Sequence, residues 1–465
     1  MCGVFGVRSR ERDVARLTYF GLFALQHRGQ ESAGIAVFEG GRVTAVREMG
    51  LVPQVFDEEK LSALPGEVAI GHTRYSTTGG ARWANAQPVV VHGAARTVAL
   101  GHNGNLVDPE PLREELVEAG VRLASSSDTE VIAALVARDP APLPEAVAAT
   151  MRRLEGAYSV VAIADGVLVA FRDPLGIRPL TLGQVGDDWV VASETCALDL
   201  VGADVVRDVA PGEVVWIDDD GCSSAQAVPR GRGAACIFEH VYFARPDSIL
   251  DGTGVHAGRV RMGERLAEEA PVEQADLVMS IPDSGTPAAI GFAKRSGIPY
   301  EEGLIKNRYV GRTFIEPDQE LRRQGIRLKF NPLSEIAGRR LVIVDDTIVR
   351  GNTTRALVQM LFAAGAAEVH VRISSPPVVS PCFYGIDMAD EDQLAAAHRS
   401  VEEMREHVGA TSLAHLSLDG MQWATRLPEQ SVCRACFTRS YPTAVPHERS
   451  VAKHRFEGAA LARGG

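Results

Sequence analysis

A chain of 465 residues is too long for one ordinary core; at about 150 residues per domain it implies two or three domains, with two as the working number. Hydrophobic residues make up 45% and charged residues 23%. No apolar run is long enough to cross a bilayer, and Arg8, Arg10, Glu11, Arg12 and Asp13 stand where a secretory signal needs apolar residues, so a soluble, cytoplasmic protein is expected. The net charge of −12 argues against broad electrostatic binding to nucleic acid, yet it permits a local basic pocket for a phosphorylated small molecule.

The first half, from Val4 to about Ile217, holds many short β-type runs, among them "SAGIAVFEG", "EVAIGHTRYS", "TVALGHNGNL", "YSVVAIADGVLVAF" and "DWVVASE", punctuated by Gly, Asp and Asn turns. Helical patterns interrupt them at Val14 to Gln26, Pro111 to Glu118 and Thr129 to Ala137. The small, polar stretch "GCSSAQAVPRGRGAAC" from Gly221 is expected to be a linker. After it the rhythm becomes strand, turn, helix: "DLVMSIPDSG" into "TPAAIGFAKRSG", then "RRLVIVDDTIVRGN" into "TTRALVQMLFAAG", then "EVHVRISSPP", which predicts parallel α/β units. From about Pro442 the composition suits an appended tail.

Cys2 follows Met1 directly. A free Cys usually reads as a small buried hydrophobe. If Met1 is removed, however, Cys2 carries both a thiol and an α-amine, and an amine with a reference pKa of about 7.7–8.0 can act as general base for its own side chain. Other strings fit a glutamine-hydrolysing site. "HTRYST" supplies Arg74, whose planar fork suits an α-carboxylate; "GHNGN" offers the Asn103 amide and the Gly104 N–H as oxyanion donors; "SSSDTE" supplies Asp128 for the substrate's ammonium.

In the second half, "VIVDDTIVRGNTT" places Asp345 and Asp346 at the end of an apolar strand, and Thr347, Gly351, Asn352, Thr353 and Thr354 in the loop that opens the next helix. Unpaired N–H groups and the helix dipole favour phosphate there, and adjacent carboxylates suit ribose hydroxyls or a bridging Mg²⁺. "SIPDSG" brings Ser284 to the same sheet edge as a metal or pyrophosphate contact, and "KNRYVGRTFIEP" contributes Lys306, Arg308 and Arg312 as a basic loop that can close over pyrophosphate and exclude water.

The Cys2, "HTRYST", "GHNGN" and "SSSDTE" set, extended by "HRGQESAG" and "RDPLGIRPL", resembles the class II glutamine amidotransferases; the acid-pair string resembles the phosphoribosyl pyrophosphate (PRPP) signature of type I phosphoribosyltransferases, with Asn352 where Thr is frequent. Joined in one chain, they resemble the glutamine PRPP amidotransferase family. The resemblance implies an α+β N-terminal-nucleophile glutaminase domain, layered αββα, over residues 2–230, an α/β type I phosphoribosyltransferase domain over 231–441, and a tail over 442–465. It also implies glutamine and PRPP as substrates, Mg²⁺ held by Ser284, Asp345 and Asp346, purine nucleotide inhibitors of AMP and GMP type, and a homotetramer.

Of the seven cysteines, Cys433 and Cys436 form C-x₂-C, and with Cys236 and Cys382 they make a split set that suits either zinc or an iron–sulfur cluster by spacing. "SSPPVVSPCFYGID" and "CRACFTRSYP" resemble the branch of the family that binds a 4Fe-4S cluster, with a structural or oxygen-sensing role; Cys196 and Cys222 are read as structural thiols. Rival glutaminase enzymes fit less well. An asparagine synthetase needs an S-G-G-x-D-S loop, which the chain lacks, and the PRPP string contradicts a sugar isomerase. A PRPP-sensing transcription regulator needs a basic DNA-binding domain in place of the glutaminase set.

Overall fold

The computed structural model describes residues 1–76, 80–307, 326, 328–388 and 391–445; Arg308 and Arg312 lie outside them. Strand β1 (Gly3–Arg8) carries Cys2 at its head, and Val4, Phe5 and Val7 on its two faces are all buried. A strand covered on both faces belongs inside a sheet. β1 pairs antiparallel with β4 (Val68–Arg74) on one side and β10 (Asp188–Ala192) on the other. With β2 (Ser32–Glu39), β3 (Arg42–Met49), β9 (Thr181–Val185) and β11 (Asp204–Asp208) they form a seven-stranded sheet in the order β11-β9-β10-β1-β4-β2-β3.

β5 (Val89–His92), β6 (Thr97–Leu106), β7 (Gly156–Ala164), β8 (Val167–Arg172), β12 (Glu213–Asp218) and β13 (Gly221–Gln226) form a six-stranded sheet in the order β13-β12-β8-β7-β6-β5. Val4, Ile70, Ala99, Val161, Ile163 and Leu168 fill the space between the sheets. The helix Val14–Ala24 covers the outer face of the first sheet, and the helices Asp128–Arg138 and Leu143–Met151 cover that of the second. The layering is therefore αββα, as the resemblance implied.

The stretch from Gly221 is not wholly a linker: it opens as β13, paired along its length with β12. β13 is an edge strand of small polar residues, held by main-chain hydrogen bonds and mostly exposed, so it leaves no apolar alternation to read.

In the second half, Leu277–Ser280, Arg340–Asp345, Glu368–Ile373 and Ser412–His415 form a wholly parallel sheet in that order. Its last strand was not anticipated, because "SLAH" is short and half polar. Val342 and Val344 face the helices Val255–Glu269 and Thr286–Ser296, while Leu341 and Ile343 face Asn352–Ala363 and Val401–Val408. The two halves share one core: Met1, Val107, Ala157 and Ile177 cluster with Phe238, Phe383 and Tyr384.

Candidate active sites and a four-cysteine cavity

At the head of β1 the Cys2 N–H donates to Asn103 Oδ1 at 3.2 Å, the Cys2 carbonyl accepts from Arg28 Nε at 2.9 Å, and the thiol lies 3.6 Å from the Tyr75 carbonyl. Asn103 and Gly104 come from β6 in the opposite sheet. Asn103 Nδ2 is buried with no hydrogen-bond partner among the described residues, a spare donor on the amide that holds the Cys2 N–H. Gly104 has φ 152°, and a Cβ there would stand 2.0 Å from the Ala157 carbonyl oxygen, so no other residue fits without shifting the backbone.

Arg74, at the end of β4, is buried and lies 3.7 Å from Glu31. Burial lowers its pKa, while Cys2, Glu31 and Asp128 are all close enough to oppose that shift, which places the proposed glutamine-binding pair and the thiol in one electrostatic environment. Asp128 opens the helix Asp128–Arg138, capped by Ser127, and accepts from the Leu106 N–H at 2.9 Å. Burial works to raise its pKa, but His102, 3.7 Å away, and the backbone donors outweigh it, so the carboxyl sits below its usual range; His102 is raised in turn against its own burial. His102 and Glu31 lay inside the quoted strings "GHNGN" and "HRGQESAG" but were given no role.

The second site forms at the carboxyl end of the parallel sheet. Ser280 pairs with Val344, so the Pro282–Gly285 loop stands beside the acid pair. A Cβ on Gly285 would lie 2.4 Å from the Val344 carbonyl oxygen and 3.1 Å from Asp345 Cα; glycine lets this loop, with half-buried Ser284, rest on the strand end. Asp345 Oδ1 accepts from the Asp346 N–H at 2.9 Å, and Asp346 Oδ2 from the Thr347 hydroxyl at 2.7 Å. Burial, and then the neighbouring charge of Asp346, push Asp345 well above the usual carboxylate range, a repulsion that a divalent cation between the two would relieve. Gly351, with φ 79°, turns the chain into the helix Asn352–Ala363; Asn352 and Thr353 are exposed at its start and Thr354 faces inward. Lys306 reaches the same loop, its Nζ 2.5 Å from Asp283. Arg312 lies outside the described residues.

Cys236, Cys382, Cys433 and Cys436 line one small cavity together with Arg178 and Tyr384. Cys236 and Cys433 are register partners in a short parallel bridge, and Cys382 Sγ accepts from the Tyr384 N–H at 3.3 Å. Burial, then the adjacent thiols, push Cys433 up to about 12 and Cys436 well above the thiol range. Thiols crowded around one cavity in this way suit a site completed by cations. Among the described residues no group of His, Cys, Asp and Glu is drawn together tightly enough to hold a single metal ion. Four thiols on one cavity are the donor type that either zinc or an iron–sulfur cluster takes.

Buried charges that the sequence reading passed over tie these places together. Arg28 donates to Glu239 at 2.8 and 3.1 Å and also pairs with Glu194; Arg178 lies 3.4 Å from Glu239 and donates to the Tyr384 carbonyl. Arg28 and Arg178 lie within the strings quoted for the resemblance, but carboxylate partners 61 to 211 positions away leave no spacing to read.

Comparison with known proteins decides the family. The amidophosphoribosyltransferase of Synechococcus elongatus is 53% identical over 455 residues, covering 96% of this chain and 92% of that protein. The chain belongs to the amidophosphoribosyltransferase family. Its Mycobacterium tuberculosis namesake is 52% identical over 98% of this chain and 89% of its own length, and a glutamine amidotransferase domain family matches residues 72–200. The structure of the Bacillus subtilis glutamine PRPP amidotransferase complexed with ADP and GMP superposes with a TM-score of 0.90 at 45% identity, over 96% of this chain and 98% of that one. For the amidophosphoribosyltransferase family, the αββα half and the parallel-sheet half described above are thus the expected pair. No helix of the described residues is long and apolar enough to cross a membrane.

Proposed function

We propose that this chain converts glutamine, PRPP and water to 5-phosphoribosylamine, glutamate and pyrophosphate, the first committed step of purine synthesis. The observation that carries the reading is the spare Asn103 Nδ2 donor, buried on an amide whose oxygen accepts from the Cys2 N–H, with Arg74 and Asp128 close by. Once the Met1–Cys2 bond is cut, the Cys2 α-amine takes the thiol proton and Sγ attacks the side-chain carbonyl of glutamine, whose oxygen gathers charge against Asn103 Nδ2 and the Gly104 N–H. The C–N bond breaks, the amine returns its proton to the leaving nitrogen as ammonia departs, and water then splits the thioester to glutamate. Arg74 holds the substrate's α-carboxylate and Asp128 its ammonium.

In the other half, ammonia attacks C1 of PRPP, the C1–O bond breaks and pyrophosphate leaves. Asp345 and Asp346 hold the ribose side, Thr347, Gly351, Asn352, Thr353 and Thr354 the 5-phosphate, and Lys306, with Arg312, the pyrophosphate. Ser284, Asp345 and Asp346 would hold Mg²⁺, which neutralises charge on the leaving pyrophosphate. Cys236, Cys382, Cys433 and Cys436 would hold a 4Fe-4S cluster, which supplies a structural tie. A cytoplasmic homotetramer inhibited by purine nucleotides completes the reading; the ADP and GMP bound to the Bacillus subtilis relative support the last point. The experiment is a product balance: with PRPP, Mg²⁺ and glutamine, pyrophosphate and glutamate accumulate in equal amounts. Glutamate without pyrophosphate would refute the assignment.

A further inference from the structure

Arg259 is a buried arginine on the helix Val255–Glu269, in the half that carries the acid pair. Its guanidinium donates to the carbonyls of His240 at 2.8 Å, Ala244 at 2.8 Å and Glu239 at 3.4 Å, so it binds both ends of the tight turn Glu239–Phe243, a π-helical turn. Such turns recur at functional positions. The carboxylate of Glu239 grips Arg28 with two hydrogen bonds, and Arg28 Nε holds the Cys2 carbonyl at 2.9 Å. A continuous run of buried hydrogen bonds thus leads from a helix of the parallel-sheet half, through the turn and Arg28, to Cys2 in the other half. The two arginines are planar forks that donate in fixed directions, so a shift of the turn between them changes the direction of the bond that Arg28 makes to Cys2.

We propose that Arg259 is a positioning residue for glutamine hydrolysis, acting through the Glu239–Phe243 turn and Arg28 on the carbonyl of Cys2, although it belongs to the half that binds PRPP. The proposal rests on the reading of Cys2 as the nucleophile. Arg259 touches none of the reacting atoms of glutamine: it fixes where the Cys2 carbonyl stands, hence the direction of the α-amine and thiol.

The test is glutamine hydrolysis by the full chain without PRPP, so that altered PRPP binding cannot enter, in Arg259→Met, Arg259→Lys, Glu239→Gln and the Arg259→Met/Glu239→Gln double variant. Arg259→Met is expected to lower kcat about tenfold with KM for glutamine little changed, because the pocket of Arg74 and Asp128 is untouched, and Arg259→Lys to recover part of the loss. In the Glu239→Gln background the same Met substitution is expected to cost less than about threefold, since the contact chain is already cut. Full kcat in Arg259→Met, or losses that simply multiply in the double variant, would overturn the proposal. If Arg259→Met does not fold, the Arg259→Lys and Glu239→Gln pair gives the same cycle. Retained hydrolysis in Cys2→Ala would instead remove the nucleophile reading, so the two failures are separable.

Discussion

Asp128 joins two tasks in one side chain: it is the proposed seat for the ammonium of glutamine, and it keeps His102 protonated to higher pH than a free imidazole. Replacing it by Asn removes a charge-assisted contact of about 1.5–3 kcal/mol, so KM for glutamine is expected to rise about tenfold to a hundredfold, while ammonia-dependent synthesis stays unchanged. The His102 titration, followed by NMR, should fall in the same variant, because burial then loses the largest charge that opposes it. An unshifted His102 would show that Asp128 does not hold it. The residue types here were legible in the sequence. A fork-shaped cation, a carboxylate and an amide with a neighbouring glycine are what an amino-acid substrate and an oxyanion require, and each lies in a short string of turn residues. Arg28, Glu194, Glu239 and Arg259 were not legible, because their meaning lies in partners placed opposite them by the fold.

At the scale of elements, the apolar run Leu341–Val344 followed by Asp345 predicted a buried parallel strand, and it is one, flanked on both sides. The linker expected from Gly221 was misread at its start because β13 is held by its backbone, which residue polarity does not report. The strand Ser412–His415 escaped for the same reason. The contact between the Pro282–Gly285 loop and the acid pair gives a sharper prediction. Gly285→Ala places a methyl 2.4 Å from a backbone oxygen that cannot yield, so the loop must retreat from Asp345. The KM for PRPP is expected to rise, with ammonia- and glutamine-dependent rates falling together. Asp345→Asn or Asp346→Asn should likewise depress both rates, because both need PRPP and Mg²⁺ in place. Loss of only the glutamine-dependent rate in any of these would move the acid pair out of the PRPP site.

Across the whole molecule, Glu194 is the point where the halves are pinned. Fully buried, it accepts from His27 at 2.7 Å, from the Arg245 N–H at 2.9 Å and from the Ser248 hydroxyl at 2.6 Å, and pairs with Arg28. Burial alone would raise its pKa; His27 and Arg28 overcome that and lower it. The stability it contributes is therefore present above the ordinary Glu pKa and lost as pH falls through the depressed one. Glu194→Ala, which takes from buried Arg28 one of its two carboxylates and leaves the Arg245 N–H and the Ser248 hydroxyl without their acceptor, is expected to cost about 3–5 kcal/mol in urea unfolding, whereas Cys222→Ser on the edge strand should stay within about 0.5 kcal/mol. The four-cysteine cavity is a second tie: protein purified without oxygen is expected to hold about four iron atoms per chain, and Cys436→Ser to lose colour and soluble protein together. One zinc per chain in colourless, active protein would replace the cluster by a single ion. In the proposed reaction one chain makes ammonia at Cys2 and consumes it at Asp345 and Asp346. The most direct measurement is pyrophosphate release from PRPP by the Cys2→Ala variant, supplied in parallel with glutamine and with ammonium chloride. No release with glutamine and an undiminished rate with ammonium are expected, and glutamine-driven release from Cys2→Ala would show that Cys2 is not the source of the ammonia.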